Sequence, residues 1–229
     1  MEYNEWIDEL FNREPVDEFE LDWSEDFFTA VYQMSSEQML CLIATTFERA
    51  GSDLANYSDV QTALGINLLT NEVNDPLRVV YDVNVPLALR QRTIESFVPL
   101  YRDFFAKRCD NGMLDDSHDP LDMRCYMLWD AGIMSIYGFM TNGNDPDREI
   151  LCEAMMDMFE QILFIPNMAC QESALHGLGH SIMCCHDREL FPKSYARRMV
   201  DMIKRFLKIP SLEPKLRKYA KLAMTGQIM

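Results

Sequence analysis

Residues able to do chemistry are concentrated in one stretch, CQESALHGLGHSIMCCH at 170–186, which holds three of the four histidines and three of the seven cysteines. On a helix, Glu172, His176, His180 and Cys184 recur every fourth residue and form a single stripe. His176 and His180, at i and i+4, have the spacing by which two imidazoles on one helix share a zinc ion. Cys184, Cys185 or His186 completes such a site only where the helix ends, because an i+8 position lies about 12 Å from i. Helical zinc hydrolases carry a glutamate as general base directly after the first histidine, and here Gly177 stands in that place. Cysteine catalysis is disfavoured as well, since the negative end of the helix dipole falls at Cys184 and Cys185 and opposes a thiolate. Leu175, Leu178 and Ile182 make an adjacent apolar face, while Gly177 and Gly179 permit close helix contact. The stripe Glu172, His176, His180 and Cys184 is therefore read as the wall of a binding groove, with no catalytic residue and no cofactor expected. A metal site of His176, His180 and Cys184 is the alternative.

Other clusters are weaker. Asp110, Asp115, Asp116, His118 and Asp119 offer oxygen ligands of the kind Ca²⁺ and Mg²⁺ prefer, yet without the acidic ladder of an EF-hand, so a solvated loop is expected. Residues 187–229 carry eleven Lys and Arg against four acids, a net +7, which raises nucleic-acid binding through Lys204, Arg205 and their neighbours. The whole chain is at −16, however, and an acidic surface repels phosphate backbones. Residues 1–26 carry −10, so the two ends could pair within one molecule or head to tail in a homodimer. The segment 14–28 mixes carboxylates with Phe19, Leu21, Trp23, Phe27 and Phe28, a composition suited to a helix cap or to docking on a basic, apolar partner.

The elements that must position these residues read as helices almost throughout. Trp6, Ile7, Leu10 and Phe11 define an amphipathic helix over 4–12, followed by another at 24–34. Ser35 with Gln38 and Ser58 with Gln61 have capping-box spacing and open helices at 36–50, closed by Gly51, and at 59–70. Residues 76–85 are β-branched and read as loop or weak helix; 86–109 is helical with a break or kink at Pro99. After a polar hinge at 109–120, helices are predicted near 121–140, 146–164, 169–185, 190–208 and 212–226, with Asp145 and Pro146 as N-cap and N1 of the second.

This half contains a repeat. MMDMFEQILFIPN (155–167) and MVDMIKRFLKIPS (199–211) align without gaps at a shift of 44, with six identical pairs including Ile165/Ile209 and Pro166/Pro210. Two helices per period of that length resemble HEAT and armadillo arrays, whose repeats run about 40–47 residues. SALHGLGH (173–180) would be the small-residue helix packed on a neighbour. The resemblance covers about 120–229. It implies an all-α, right-handed α-α superhelix of helical hairpins, with 1–110 as an acidic N-terminal helical half and 120–229 as the repeat-like half of one domain. Proteins of this form serve as scaffolds, peptide-binding troughs and, in some DNA glycosylases, clamps on duplex DNA. The function expected is a non-enzymatic binding protein that offers a groove to a protein or peptide.

Composition agrees with a folded, non-membrane chain: 48% hydrophobic, 25% charged, few Gly and Pro, and seventeen Met suited to irregular gaps between helices. The start lacks the basic and apolar regions of a signal peptide and no run approaches a membrane span, so seven reduced thiols in the cytoplasm are expected.

Overall fold

Alternating stripes of apolar side chains, each opened by a capping residue, fold this chain into helices; a computed structural model describes residues 1–16, 21–70, 76–117, 119–130, 134–187 and 192–228. Of the residues named above, Phe19 and His118 lie outside these ranges, and the side chains of Asp116 and His186 are outside the description too. The helices are α1 Tyr3–Phe11, α2 Glu25–Gln33, α3 Ser36–Asp53, α4 Asp59–Thr70, α5 Leu87–Glu95, α6 Phe97–Pro99, α7 Ala106–Arg108, α8 Pro120–Met127, α9 Ile136–Thr141, α10 Arg148–Leu163, α11 Met168–Asp187, α12 Lys193–Phe206 and α13 Pro214–Ala223. Among the described residues no β-strand forms, and the only extended pairing is an isolated bridge between Pro15 and Leu21. No helix among them is long and apolar enough to cross a membrane.

Local chemistry explains most boundaries. Ser58 N–H donates to Gln61 Oε1 (3.0 Å) and Gln61 N–H to Ser58 Oγ (3.2 Å), the reciprocal pair of a capping box. Pro76–Tyr81 is a 3-10 turn. Pro99 lacks an N–H, and directly after it the run that began at α5 widens into a π-helical turn, Leu100–Phe105, that leads into α7. Three expectations are corrected. Helix α3 passes through Gly51, whose lack of a side chain serves packing: a Cβ there would stand 2.6 Å from the Asp103 carbonyl oxygen. The run predicted over 121–140 is two helices, α8 and α9, because the chain leaves α8 in a turn at Leu128–Asp130 and restarts at Ser135, whose Oγ accepts from Gly138 N–H (3.0 Å). Asp145 is not the N-cap of α10, a place held by Asp147; its carboxylate is claimed by Arg90.

Buried side chains from Trp6 to Ile228 belong to one contiguous core. Helix α3 packs on α5 and on the 3-10 turn, α5 on α10, and α4 on α8; α11 touches α8, α9, α10, α12 and α13. Positions that align at a shift of 44 are matched in burial. Met155, Met158, Phe159 and Ile162 of α10 lie in the core, and so do Met199, Met202, Ile203 and Phe206 of α12, each 44 positions on. Basic residues of α12 pair with acids of α10, Arg198 with Glu153 and Asp157 and Arg205 with Glu160, rather than with the acidic N-terminal segment.

One ion pair is enclosed in this core. Arg90 and Asp145 side chains are both 0% exposed; Arg90 holds the carboxylate in a two-pronged grip and also donates its Nε–H to the Val80 carbonyl (2.6 Å). Burial pushes the Asp145 carboxyl up, but the hydrogen bonds from Arg90 and from the Asp147 N–H, together with the charges of Arg90 and Arg148, hold the group below its ordinary value. A depressed folded-state pKa adds stability that is present above the unfolded pKa of about 3.9 and is lost as pH falls below it. Asp145→Ala, which strands a buried guanidinium, is expected to cost about 3–5 kcal/mol in urea denaturation at pH 7, a deficit that shrinks as pH falls below about 4.

Candidate metal centre

Helix α11 carries the site because its middle turns are built for close approach. Ala174, Leu175, Leu178 and Ile182 are buried, as the apolar spacing requires. A Cβ on Gly177 would stand 2.5 Å from the Phe159 ring and 2.9 Å from that of Trp129; one on Gly179 would stand 2.5 Å from Ile228. Without side chains at these two positions, α10, the turn after α8 and the segment after α13 all settle against α11. Trp129 is the pivot. Its ring stacks on Tyr101 (centroids 5.6 Å apart, planes at 11°) and meets Phe159 (4.7 Å). Its Nε1–H donates to Ser173 Oγ (2.8 Å), which in turn donates to the Cys125 carbonyl (2.6 Å). Tyr101 Oη joins this buried knot, 2.8 Å from Ser173 Oγ and 2.9 Å from the same carbonyl.

The next residue after this anchored ring is Asp130, and it meets the histidines. Asp130 Oδ1 lies 2.5 Å from His176 Nε2 and 3.2 Å from His180 Nε2, and the two nitrogens are 3.1 Å apart. Asp130, His176 and His180 form the one cluster of three or more potential metal ligands among the described residues. The imidazole of His176 is 2% exposed, and its other nitrogen, Nδ1, is 2.9 Å from Tyr219 Oη of α13. Tyr219 is hydrogen-bonded in turn to Tyr126 Oη of α8 (2.9 Å), whose ring lies against His176 with centroids 4.2 Å apart. Burial pushes the Asp130 carboxyl up, but hydrogen bonds from His176 and His180 more than compensate and hold it well below the carboxylate range. Burial, helped by the Tyr126 hydrogen bond, raises the Tyr219 phenol, so it stays neutral at physiological pH.

An ionised carboxylate only accepts, so a hydrogen bond between His176 Nε2 and Asp130 puts the proton on Nε2, which then has no lone pair for His180. If His180 Nε2 is protonated too, Asp130 Oδ1 accepts from both rings and the 3.1 Å approach of the two nitrogens carries no hydrogen bond. A cation shared by all three atoms would use every one of these contacts. If Nδ1–H of His176 donates to Tyr219 Oη, Nε2 is left bare as a ligand, which is the outer-shell arrangement common to metal-binding histidines. Two imidazoles and one carboxylate suit zinc and ferrous iron. Ligand atoms about 2.0–2.1 Å from such an ion sit about 2.9–3.3 Å from each other, close to two of the three separations found here.

Of the predicted stripe, His176 and His180 come together and the other two members part company. Glu172 is 5% exposed, and its Oε2 accepts from Leu114 N–H (2.8 Å), which pins the 3-10 turn Leu114–Asp116 rather than lining a groove. Cys184 is half-buried and outside the three-ligand cluster; Asp130 takes the place given to it in the metal alternative. Burial pushes the neighbouring Cys185 thiol up to about 11, which removes it as a nucleophile. In the acidic loop, Asp119 caps α8 through Leu121 N–H (2.7 Å) and Asp122 accepts from Asp110 N–H (3.1 Å) and Ser117, so those carboxylates close turns. Asp130, Tyr126, Tyr219 and Trp129 were not singled out by the spacing of residues.

Ser173→Ala is expected to destabilise the fold by about 1–3 kcal/mol, because Trp129 Nε1–H loses its acceptor in a sealed site, and to alter tryptophan fluorescence. Denaturation monitored by that fluorescence checks both outcomes. No known family model, curated protein or solved structure matches this chain.

Proposed function

We propose that this chain is a metal-binding protein whose single centre holds a divalent first-row transition ion, zinc or ferrous iron, through Asp130 Oδ1, His176 Nε2 and His180 Nε2. The observation that carries this reading is the convergence of three potential ligand atoms from two separate segments within 2.5–3.2 Å of one another. Supporting it, the deepest imidazole is oriented through Nδ1 by Tyr219, and the aspartate is fixed by an anchored tryptophan. Three protein ligands are the number found in zinc centres that act on ligands, whereas closed structural sites use four.

A second reading rests on a separate observation, the matched burial of α10 and α12 at a shift of 44. Hairpins α10–α11 and α12–α13 would then be successive units of a HEAT-like superhelix that offers a groove to a protein or peptide. The two readings are compatible, because a metal centre on α11 does not preclude a groove elsewhere on the stack.

Protein purified without chelators and tag is expected to contain about one zinc or iron per chain by elemental analysis, and apo-protein to take up one Co²⁺ with visible bands of a nitrogen- and oxygen-ligated ion. Asp130→Asn, His176→Gln and His180→Gln should each weaken uptake by more than the roughly 10–100-fold typical of outer-shell changes, Tyr219→Phe by about that range, and Cys184→Ser not at all. Circular dichroism separates lost ligands from lost folding. A folded wild-type protein that takes up no ion at micromolar metal rejects the proposal.

A further inference from the structure

A cavity of about 140 Å³ opens beside the trio, lined by Trp129, Asp130, Met134, Ser135, Gly177, His180, Ser181 and Cys184. Its wall includes two of the three proposed ligands, while the third, His176, is sealed behind them at 2% exposure. An ion held by all three atoms therefore turns its remaining coordination positions toward this space. We infer that the cavity is the ligand pocket of the centre and takes a small monoanionic oxygen donor, a short carboxylate, bound with one oxygen on the metal and the other on the Ser181 hydroxyl. The inference rests on the metal reading above.

Three observations select that ligand class. The first is charge: a divalent ion with one carboxylate and two neutral imidazoles keeps a net +1, and the described residues of the cavity wall include no further Asp, Glu, Lys or Arg to change it. In a partly enclosed site a monoanion neutralises that charge, whereas a cation or a dianion leaves an uncompensated one. The second is Ser181. It is 3% exposed and makes no hydrogen bond to any described residue, although a helical serine in this position commonly bonds back to the carbonyl four residues earlier. A hydroxyl bordering the cavity and without a partner among the described residues is placed to donate to a ligand atom. The third is size and lining. The volume is close to the roughly 150 Å³ of engineered cavities that hold a benzene ring, so acetate fits with room and benzoate is near the limit. The Trp129 ring and the Met134 thioether supply the apolar wall that the hydrocarbon part of such an acid would meet.

The experiment uses the full chain loaded with Co²⁺ and titrated with sodium acetate and sodium benzoate against a chloride control at constant ionic strength, read by the visible spectrum. Acetate and benzoate are expected to shift the cobalt bands with saturation, and chloride to do so only weakly. Ser181→Ala should bind Co²⁺ as tightly as the wild type but bind acetate about 10-fold more weakly or worse, the typical effect of losing a hydrogen bond to a charged group. Imidazole, a neutral ligand that makes no use of the hydroxyl, should bind both proteins alike, which separates a specific donor from a general disturbance of the pocket. Failure of the wild type to take up Co²⁺ removes the centre, and the pocket's role with it. Cobalt uptake with no response to either acid, or an equal response in wild type and Ser181→Ala, overturns this inference while leaving the metal reading in place.

Discussion

The contact on which the site depends is the meeting of Gly177 with the rings of Phe159 and Trp129. A side chain there would stand 2.5 Å from one ring and 2.9 Å from the other, closer than carbon atoms approach. Because glycine occupies the position, α11 lies flush on the aromatic knot, and the residue after Trp129 reaches the histidine before Gly177. Separation by one small side chain would open the Asp130–His176 contact and leave a buried imidazole without its carboxylate. Dense packing transmits such a shift rather than absorbing it. An apolar constraint thus sets the geometry of a polar site.

Two kinds of interaction divide the labour. The aromatic stacking of Tyr101, Trp129 and Phe159 and the hydrogen bonds through Ser173 make a rigid, neutral floor. Above it, charged and titratable groups are few and each is answered: Asp130 by two imidazoles, His176 Nδ1 by Tyr219, Tyr219 by Tyr126. Far from this site, Arg90 and Asp145 tie α5 to the loop before α10 by a similar rule, since neither charge tolerates burial without the other.

How far the sequence reveals this arrangement depends on whether an interaction is local. Capping at Ser58 and Gln61, the disturbance at Pro99 and the shared register of 155–167 and 199–211 are set by neighbours along the chain, and all are legible. The pairing of His176 with His180 is equally local, one helical turn apart. What faces them is not. Asp130 lies 46 positions before His176 and Tyr219 lies 43 after it, and no periodicity links residues brought together by packing of separate helices. Glu172 illustrates the converse. It shares the stripe, as helical spacing requires, but one turn earlier in α11 the opposing element is the 3-10 turn at Leu114, which uses its carboxylate. Asp145 similarly had the type of a cap and was taken by an arginine 55 positions away.

The imidazole that Tyr219 orients is on α11, but the phenol comes from α13. The chain through α11 contains Asp130, His176 and His180 but not the phenol that bonds His176 Nδ1. Residues beyond α11 therefore belong to the site: a chain cut there would keep the three candidate ligands and lack the group that meets His176 Nδ1.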